Sequence, residues 1–277
     1  MYRQPYGQRR SNGMSGMGLR LIIALVIAGI SLFSYLGTRS KNDVTGETQF
    51  VDLSPEEEIA MGLQAAPQMA QQYGGLYQDE KLRQLVENVG QKVVQSSVAG
   101  KTRYQFDFHL LADTQTINAF ALPGGQIFIT AALLERLETE GQLAGVLGHE
   151  VGHVVARHSS EHLAKQKLTQ GITGAIGTAA GSMQTAQMAA AVGQMINLKY
   201  GREDELESDK LGVQFMVDAG YDPRSLVGVM EILAESSGGA RQPEFMSSHP
   251  DPGNRVQRIQ QVIEELYPNG LPEGLTP

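Results

Sequence analysis

With 277 residues, 41% of them hydrophobic and 19% charged, the chain can hold one large domain or two small ones, each with a proper core. A formal net charge of -8 argues against nucleic acid as the main partner, because phosphate binding needs a basic surface. Cysteine is absent, which excludes disulfides, a thiol nucleophile, a thiolate zinc site and a lipid-modified N-terminal cysteine.

Residues 1–20 carry Arg3, Arg9, Arg10 and Arg20 and no acidic residue. Residues 21–38 follow without a charge, close to the roughly 20 residues a helix needs to cross a bilayer. This predicts a basic cytoplasmic N-terminus and a transmembrane anchor. A signal sequence is the alternative, although no clear Ala-x-Ala cleavage site follows the apolar run. Arginine-rich flanks stay in the cytoplasm, so the remainder belongs on the other side. In a bacterium that is a single-pass inner-membrane protein with its folded part in the periplasm, or a protein released there if the segment is cleaved.

Residues 39–53 read as a polar linker. Ser54-Pro55-Glu56-Glu57 then has the marks of a helix start: a capping serine, proline at the first helical position and an acid at the third. The helix should run to about Tyr73, ahead of Gly74-Gly75, and a second should begin near Asp79 with Leu82, Leu85, Val86, Val89 and Val93 on one face. Tyr104, Phe106, Phe108 and Leu110 alternate with Gln105, Asp107 and His109, the period of a half-buried strand with His109 on its polar side. Pro123-Gly124-Gly125 between two β-prone runs predicts a hairpin. Asn118, Ala119, Phe120 and Ala121 are then candidates for an edge that aligns an extended polypeptide by backbone pairing. A purely structural hairpin is the other reading.

His149-Glu150-Val151-Gly152-His153 comes next. Residues four apart share a helix face, so both imidazoles can point at one ion, and neutral imidazole is a good zinc ligand. Glu150 sits where its carboxylate can take a proton from a water at that ion. Thr139 and Gln142 have capping-box spacing, and Leu143, Val146, Leu147, Val151, Val154 and Val155 supply a broad apolar side. The five-residue pattern recurs by chance, so it needs a third ligand elsewhere. Residues 168–198 are uncharged and rich in Gly, Ala, Gln, Thr and Met, with polar residues enough to make a poor membrane span. A mobile helical cover, a self-association surface and plain packing all remain open there.

The third ligand follows from the run Arg202 to Gly212. At about 100° per residue, Glu205 and Asp209 fall on the side of Val213 and Met216, whereas Glu203, Glu207, Lys210, Gln214 and Asp218 gather opposite. Inward carboxylates are costly unless something pairs with them, so Glu205 is the candidate ligand and Asp209 the candidate partner that orients a ligand histidine. Two histidines and a glutamate leave one zinc position for water, as hydrolysis requires. His158 and His162 are also four apart, but no carboxylate directly follows His158.

These segments resemble the membrane-linked gluzincin metallopeptidases that include HtpX, the CAAX prenyl protease, mitochondrial Oma-type proteases and periplasmic BepA-like proteases. The matching pieces are Asn118-Ala119-Phe120-Ala121-Leu122-Pro123-Gly124-Gly125, His149-Glu150-Val151-Gly152-His153 with Arg157-His158, Glu205-Leu206-Glu207-Ser208-Asp209, and Ser248-His249-Pro250 with Arg255. Serine stands at position 208 where the family commonly has alanine. The resemblance covers roughly residues 55–266. It implies zinc-dependent endopeptidase activity with His149, His153 and Glu205 as ligands and Glu150 as the catalytic base. One candidate span places the chain nearer the single-anchor or periplasmic members, without the tetratricopeptide repeats of BepA-like proteins. His249 is either a structural loop residue or a regulatory ligand that swings onto the open zinc position.

The expected fold is α+β and mainly α, a zincin-like domain over residues 54–267 with a small sheet or hairpin beside the motif helix, followed by a disordered tail at 268–277. The expected function is a membrane-tethered zinc endopeptidase, one Zn2+ per chain, acting on unfolded, misfolded or misassembled envelope proteins. The quality-control part rests on the resemblance alone. A chaperone-like scaffold with a latent zinc site and a narrow-specificity processing protease are the alternatives.

Overall fold

The computed structural model describes residues 16–180, 200–236, 243–250 and 253–277, and side chains outside 176–180 within that set. The first element is helix α1, Gly16–Gly37, of which Met17–Gly37 is long and apolar enough to cross a bilayer. The residues after it, expected to be a linker, form a small antiparallel hairpin of β1 (Arg39–Lys41) and β2 (Thr48–Phe50). Buried Asn42 accounts for it. Its Oδ1 accepts from Val44 N and Thr45 N, and its Nδ2 donates to Gln49 and to the carbonyl of Val155 at 2.9 Å. Three-residue polar strands carry too little pattern to be read as such, and this hairpin is fixed by a contact 113 positions away in sequence.

α2 (Pro55–Gln72) starts with the expected reciprocal cap, Ser54 accepting from Glu57 N and Glu57 accepting from Ser54 N. α3 (Glu80–Ser96) is capped by Asp79 and buries Val86, Val89 and Val93. A three-stranded sheet follows: β3 (Asp107–Leu111), β4 (Ala119–Ala121) and β5 (Gln126–Thr130) in the order β3-β5-β4. β3 runs parallel to the central strand, with Phe108 opposite Ile127 and Leu110 opposite Ile129, while β4 closes the expected hairpin antiparallel. The alternation beginning at Tyr104 overshoots the strand by three residues, because Gln105 N and Asp107 N bond to Gly124 O and Gly125 O of the turn instead.

The short helix α4 (Ala131–Leu134) leads to α5 (Glu140–Val155), which carries the histidine motif and is buried from Gly141 to Val155. A helix apolar or small on every side belongs in the middle of a domain. Here Val146, Leu147 and Val151 share one core with Val93 of α3, Ile127 and Ile129 of β5, and Val213, Phe215 and Leu226 beyond. The cap at Thr139 is half of the expected box: its hydroxyl accepts from Gln142 N, but Gln142 Oε1 takes the amide of Glu138. Arg157, with φ of 63°, turns the chain into α6 (His158–Ala180). Then come α7 (Arg202–Asp218), α8 (Ser225–Ser236), the single turn α9 (Phe245–Ser248) and α10 (Arg255–Leu266).

α6 packs along α1, and α7 along α5. The tail expected to be disordered is tied down at its end: Thr276 pairs with Tyr221 through Gly220 O and Asp222 N, and Gly141 N donates to Pro277 O at the start of α5. The architecture is mainly helical with a small sheet beside the motif helix, as expected.

Candidate metal centre

The α5 helix places His149 and His153 one turn apart on the same face, their Nε2 atoms 3.0 Å from each other. α7 crosses this face antiparallel and at close range, because glycine stands at positions 148 and 152. A Cβ on Gly152 would lie 3.0 Å from Ser208 O, and one on Gly148 3.6 Å from Gly212 Cα. That approach brings the fully buried Glu205 to 3.5 Å from His149 Nε2 through Oε2 and to 3.4 Å from His153 Nε2 through Oε1. His249, just after α9, adds Nδ1 at 3.0 Å from Glu205 Oε1 and 3.2 Å from His149 Nε2. The four side chains offer donor atoms within 4.8 Å of one another.

This donor set fits zinc. Four nitrogen and oxygen donors at about 2.0–2.2 Å from a tetrahedral ion stand roughly 3.3–3.5 Å apart, close to the separations found here. Imidazole nitrogens facing each other and a carboxylate have a reason to converge only if a cation can sit between them. Glu150 adds a second sign. Both its oxygens are buried without a hydrogen bond among the described residues, and the nearest charge partner is His249 Nε2 at 3.5 Å. A carboxylate left so is costly unless another group occupies the space beside it.

The electrostatics follow from burial opposed by neighbours. Burial lifts the Glu150 carboxyl above its ordinary value of 4.5 against the pull of His249 and His149. Burial acts the same way on Glu205, but the charge of His249 and hydrogen bonds from three histidines outweigh it and hold the carboxyl well below the usual range. Burial and Arg255 push the His149 imidazole down, whereas Asp209 and Glu205 raise it further, to about 9. Burial holds His153 well below 6.5. Two ionised carboxylates against this histidine pair make the centre attractive to a cation.

Asp209 lies where the helical arc put it, its Oδ1 at 2.9 Å from His149 Nδ1. Three partners escape sequence reading. Arg255, at the first turn of α10, grips both oxygens of Asp209 at 2.7 Å and reaches Glu205 Oε2 at 3.0 Å. The only sequence signal is an arginine beside the Ser-His-Pro segment. His158 stands outside the donor cluster but against it: its Nδ1 is 2.8 Å from His153 Nδ1 and its Nε2 3.0 Å from Glu207. The left-handed Arg157 turn folds His158 back under His153, and Glu207, on the outer arc of α7, meets it there. Tyr200 lays its ring on His153 with centroids 3.8 Å apart. His109, by contrast, is held on the sheet by Gln126 and Phe128, and His162 pairs with Asp204.

The expected aligning strand borders this centre. Asn118 O accepts from Thr130 N and Leu122 N donates to Gln126 O of β5, so by antiparallel alternation Ala119 and Ala121 direct their N–H and C=O groups to the outer edge. A cavity beside that edge is lined by Met69, Tyr73, Phe120, Pro123, Tyr200 and His249. The α9 segment sits at one end of it, with Phe245 N donating to Ile117 O and Tyr73 OH bonding Glu244 and Asn118.

Comparison with known proteins agrees with this geometry. The family model described as Peptidase family M48 matches residues 80–263. The beta-barrel assembly-enhancing protease of Yersinia pestis is 30% identical over 81% of this chain and 47% of its own length. The protein of that name from Escherichia coli (strain K12) is 29% identical over 70% of this chain and 41% of its own. The mitochondrial metalloendopeptidase OMA1 of Danio rerio is 29% identical over 87% of this chain and 53% of its own. The chain thus spans about half the length of these curated relatives. It belongs to peptidase family M48. Metallopeptidases of that family use zinc, and the cluster of His149, His153, Glu205 and His249 can hold one ion.

Proposed function

We propose that this M48-family chain is a zinc endopeptidase tethered to a membrane by α1, with His149, His153 and Glu205 holding the ion and Glu150 moving the proton. The observation that carries the reading is the convergence of those three donors beside a buried carboxylate that has no hydrogen-bond donor among the described residues. Zinc, when bound, supplies a Lewis acid that polarises a peptide carbonyl and acidifies a nearby water. Glu150 takes the proton of the attacking water and passes it to the departing amine, two tasks that suit a carboxyl raised above its ordinary value. Asp209 and Arg255 keep the His149 ring from rotating. Ala119 and Ala121 hold an extended substrate by its backbone across the centre.

The substrate class is misfolded or misassembled envelope protein on the periplasmic side of a bacterial inner membrane. The relatives' names, a beta-barrel assembly-enhancing protease and a mitochondrial metalloendopeptidase, support a protease, and the apolar α1 supports a membrane tether. Purified protein incubated with a permanently unfolded polypeptide should cleave it, lose cleavage to a chelator, regain it with zinc, and lose it in Glu150→Gln. Binding without cleavage by zinc-loaded protein would sink the reading in favour of a scaffold. Cleavage at one narrow consensus, read by mass spectrometry, would favour a processing protease. Full zinc retention in Glu205→Ala would overturn the ligand assignment. The place of His249 among the donors favours a latent resting state in which it fills the fourth position. His249→Ala then raises peptidase activity, and unchanged or lower activity refutes the latch.

A further inference from the structure

α1 does not behave as a bare tether. Its least exposed residues include Ala24, Ile27, Ala28, Ser31 and Tyr35, spaced by three and four, so one stripe of the helix is covered. Leu25, Val26, Leu32, Phe33 and Leu36 point away from it and stay open. The cover is α6, running antiparallel. Lys167 and Leu168 lie with Ser31, Ser34, Tyr35 and Thr38 around one cavity, and a Cβ on Gly171 would meet the Ser31 hydroxyl, so the backbones are close at that level. Ala175, one turn further, is buried.

The charges of α6 stop where this pairing begins. Glu161, His162, Lys165 and Lys167 belong to its first turns, and residues 168–180 carry none. Lys167 forms an ion pair with Asp52 beside Thr38, so a charged collar sits at the point where α1 gives way to the hairpin. Beyond the collar, Ile172 is 41% exposed, Thr169, Thr173 and Gly174 are also uncovered, and no charged residue follows Lys167 in the helix. The Thr169 hydroxyl is bonded to Lys165 O within the helix, the way hydroxyls are accommodated in hydrocarbon.

We propose that residues 168–175 of α6 lie inside the bilayer as a second membrane element, with lipid hydrocarbon as the partner of their uncovered face. The inference rests on the reading of α1 as a membrane anchor. A helix packed against the side of a transmembrane helix shares its depth, so if Ser31 and Ala24 are in hydrocarbon, Gly171 and the turns after it are too. From Lys167 to Ala175 the helix rises about 12 Å, against a hydrocarbon thickness of about 30 Å. A hydropathy window passes the segment over because Thr169, Gln170 and Thr173 dilute its apolar residues. A helix that shares one side with α1 needs only its other side to suit lipid, and small residues at the seam allow the close approach that membrane helices use. Burial in the bilayer differs from the expectation of a poor membrane span serving as mobile cover, self-association surface or plain packing over 168–198; residues 181–198 lie outside the described residues.

The absence of cysteine makes the test direct, since single cysteines need no background removed. The full chain carrying Leu25→Cys, Lys165→Cys, Ile172→Cys or Gly174→Cys is labelled with a nitroxide, reconstituted in phosphatidylcholine vesicles, and its collision rates with oxygen and with a water-soluble nickel chelate are measured by spin resonance. Zinc content identical to the parent confirms each fold. Labels at 172 and 174 should match Leu25→Cys, with an oxygen-to-nickel ratio several-fold above that of Lys165→Cys. Nickel access at 172 and 174 with Leu25→Cys still protected would overturn the inference alone and restore an aqueous cover. Low access to both reagents there would overturn it in favour of a protein contact such as a second copy of the chain. Nickel access at Leu25→Cys would overturn the anchor reading, and this inference with it.

Discussion

Gly148 and Gly152 both face α7, and replacing each by alanine should give opposite results. At Gly152 the added methyl would stand 3.0 Å from Ser208 O, 3.1 Å from Ser208 Cα and 3.3 Å from Ser208 Cβ. The first two are backbone atoms and cannot rotate away, so α7 must retreat by about 0.3–0.5 Å, at a cost of roughly 1–3 kcal/mol for overpacking. Glu205 lies on the same rigid turn as Ser208 and retreats with it. Metal sites tolerate distance errors of about 0.2 Å, so zinc affinity should fall by about tenfold or more. At Gly148 the nearest atoms are Gly212 Cα and O at 3.6 Å, an ordinary contact. There Gly148→Ala keeps only the helix-propensity gain of about 1 kcal/mol, worth roughly 2–4 °C in melting temperature for a domain of this size. Thermal unfolding of the zinc-loaded and chelator-treated proteins, with zinc affinity from competition against a coloured chelator, measures both. Equal behaviour of the two variants, or full zinc affinity in Gly152→Ala, would refute the argument that this glycine sets the spacing of the ligands.

Three further outcomes follow from the same centre. Glu150 must be ionised to accept a proton, and burial raises its carboxyl, so kcat/KM should fall on the acid side at a pH above the ordinary glutamate value of 4.5; a profile still flat down to that value would show that Glu150 is not the base. Arg255→Met strips buried Asp209 and Glu205 of their guanidinium and should cost about 3–5 kcal/mol in urea unfolding, with Arg255→Lys recovering part of it; a loss within about 0.5 kcal/mol would place the stabilising charge elsewhere. His158→Phe removes the group against His153 Nδ1, and Glu207→Gln weakens its support. Each should lower zinc affinity by about 10–100-fold, with His158→Phe the stronger; chelator competition showing no change in either would reduce His158 to a packing residue.

What could be read beforehand were features that repeat locally. Two histidines one turn apart declare themselves by spacing, and Glu205 and Asp209 by falling on the apolar arc of α7. The hairpin at Pro123-Gly124-Gly125 and the caps at Ser54 and Asp79 are equally local. Partners joined only by the fold left no such mark. Arg255 sits 46 positions from Asp209, and His158 sits 49 from Glu207, which the helical arc turns outward but which is half-buried against His158. Asn42 docks the β1–β2 hairpin on α5 by one side-chain amide, a bond with no periodicity to betray it. Tyr200 ends a compositionally uniform stretch and shows its importance only as a ring against His153. The pairing of α1 with α6 was hidden for the opposite reason: a stretch judged alone for membrane residence does not show that a neighbour covers half of it.

The brevity of β4 bears on what a chain must do to be cut. An edge of three residues offers a guest strand only a few backbone hydrogen bonds, each worth about 1 kcal/mol net. A segment already paired within its own fold would break as many bonds as it makes, and would lose its packing as well. Docking therefore gives little leverage for prying structure open, and the segments available are those that have come loose by themselves. Each 1.4 kcal/mol of local opening free energy lowers that available fraction tenfold, so a segment that opens at a cost of about 4 kcal/mol presents itself about a thousandth of the time. If β4 aligns the substrate as proposed, such an edge works as a sieve for conformational looseness. Cleavage rates across substrates should then rank by their local opening equilibria, largely independent of the residues flanking the cut bond.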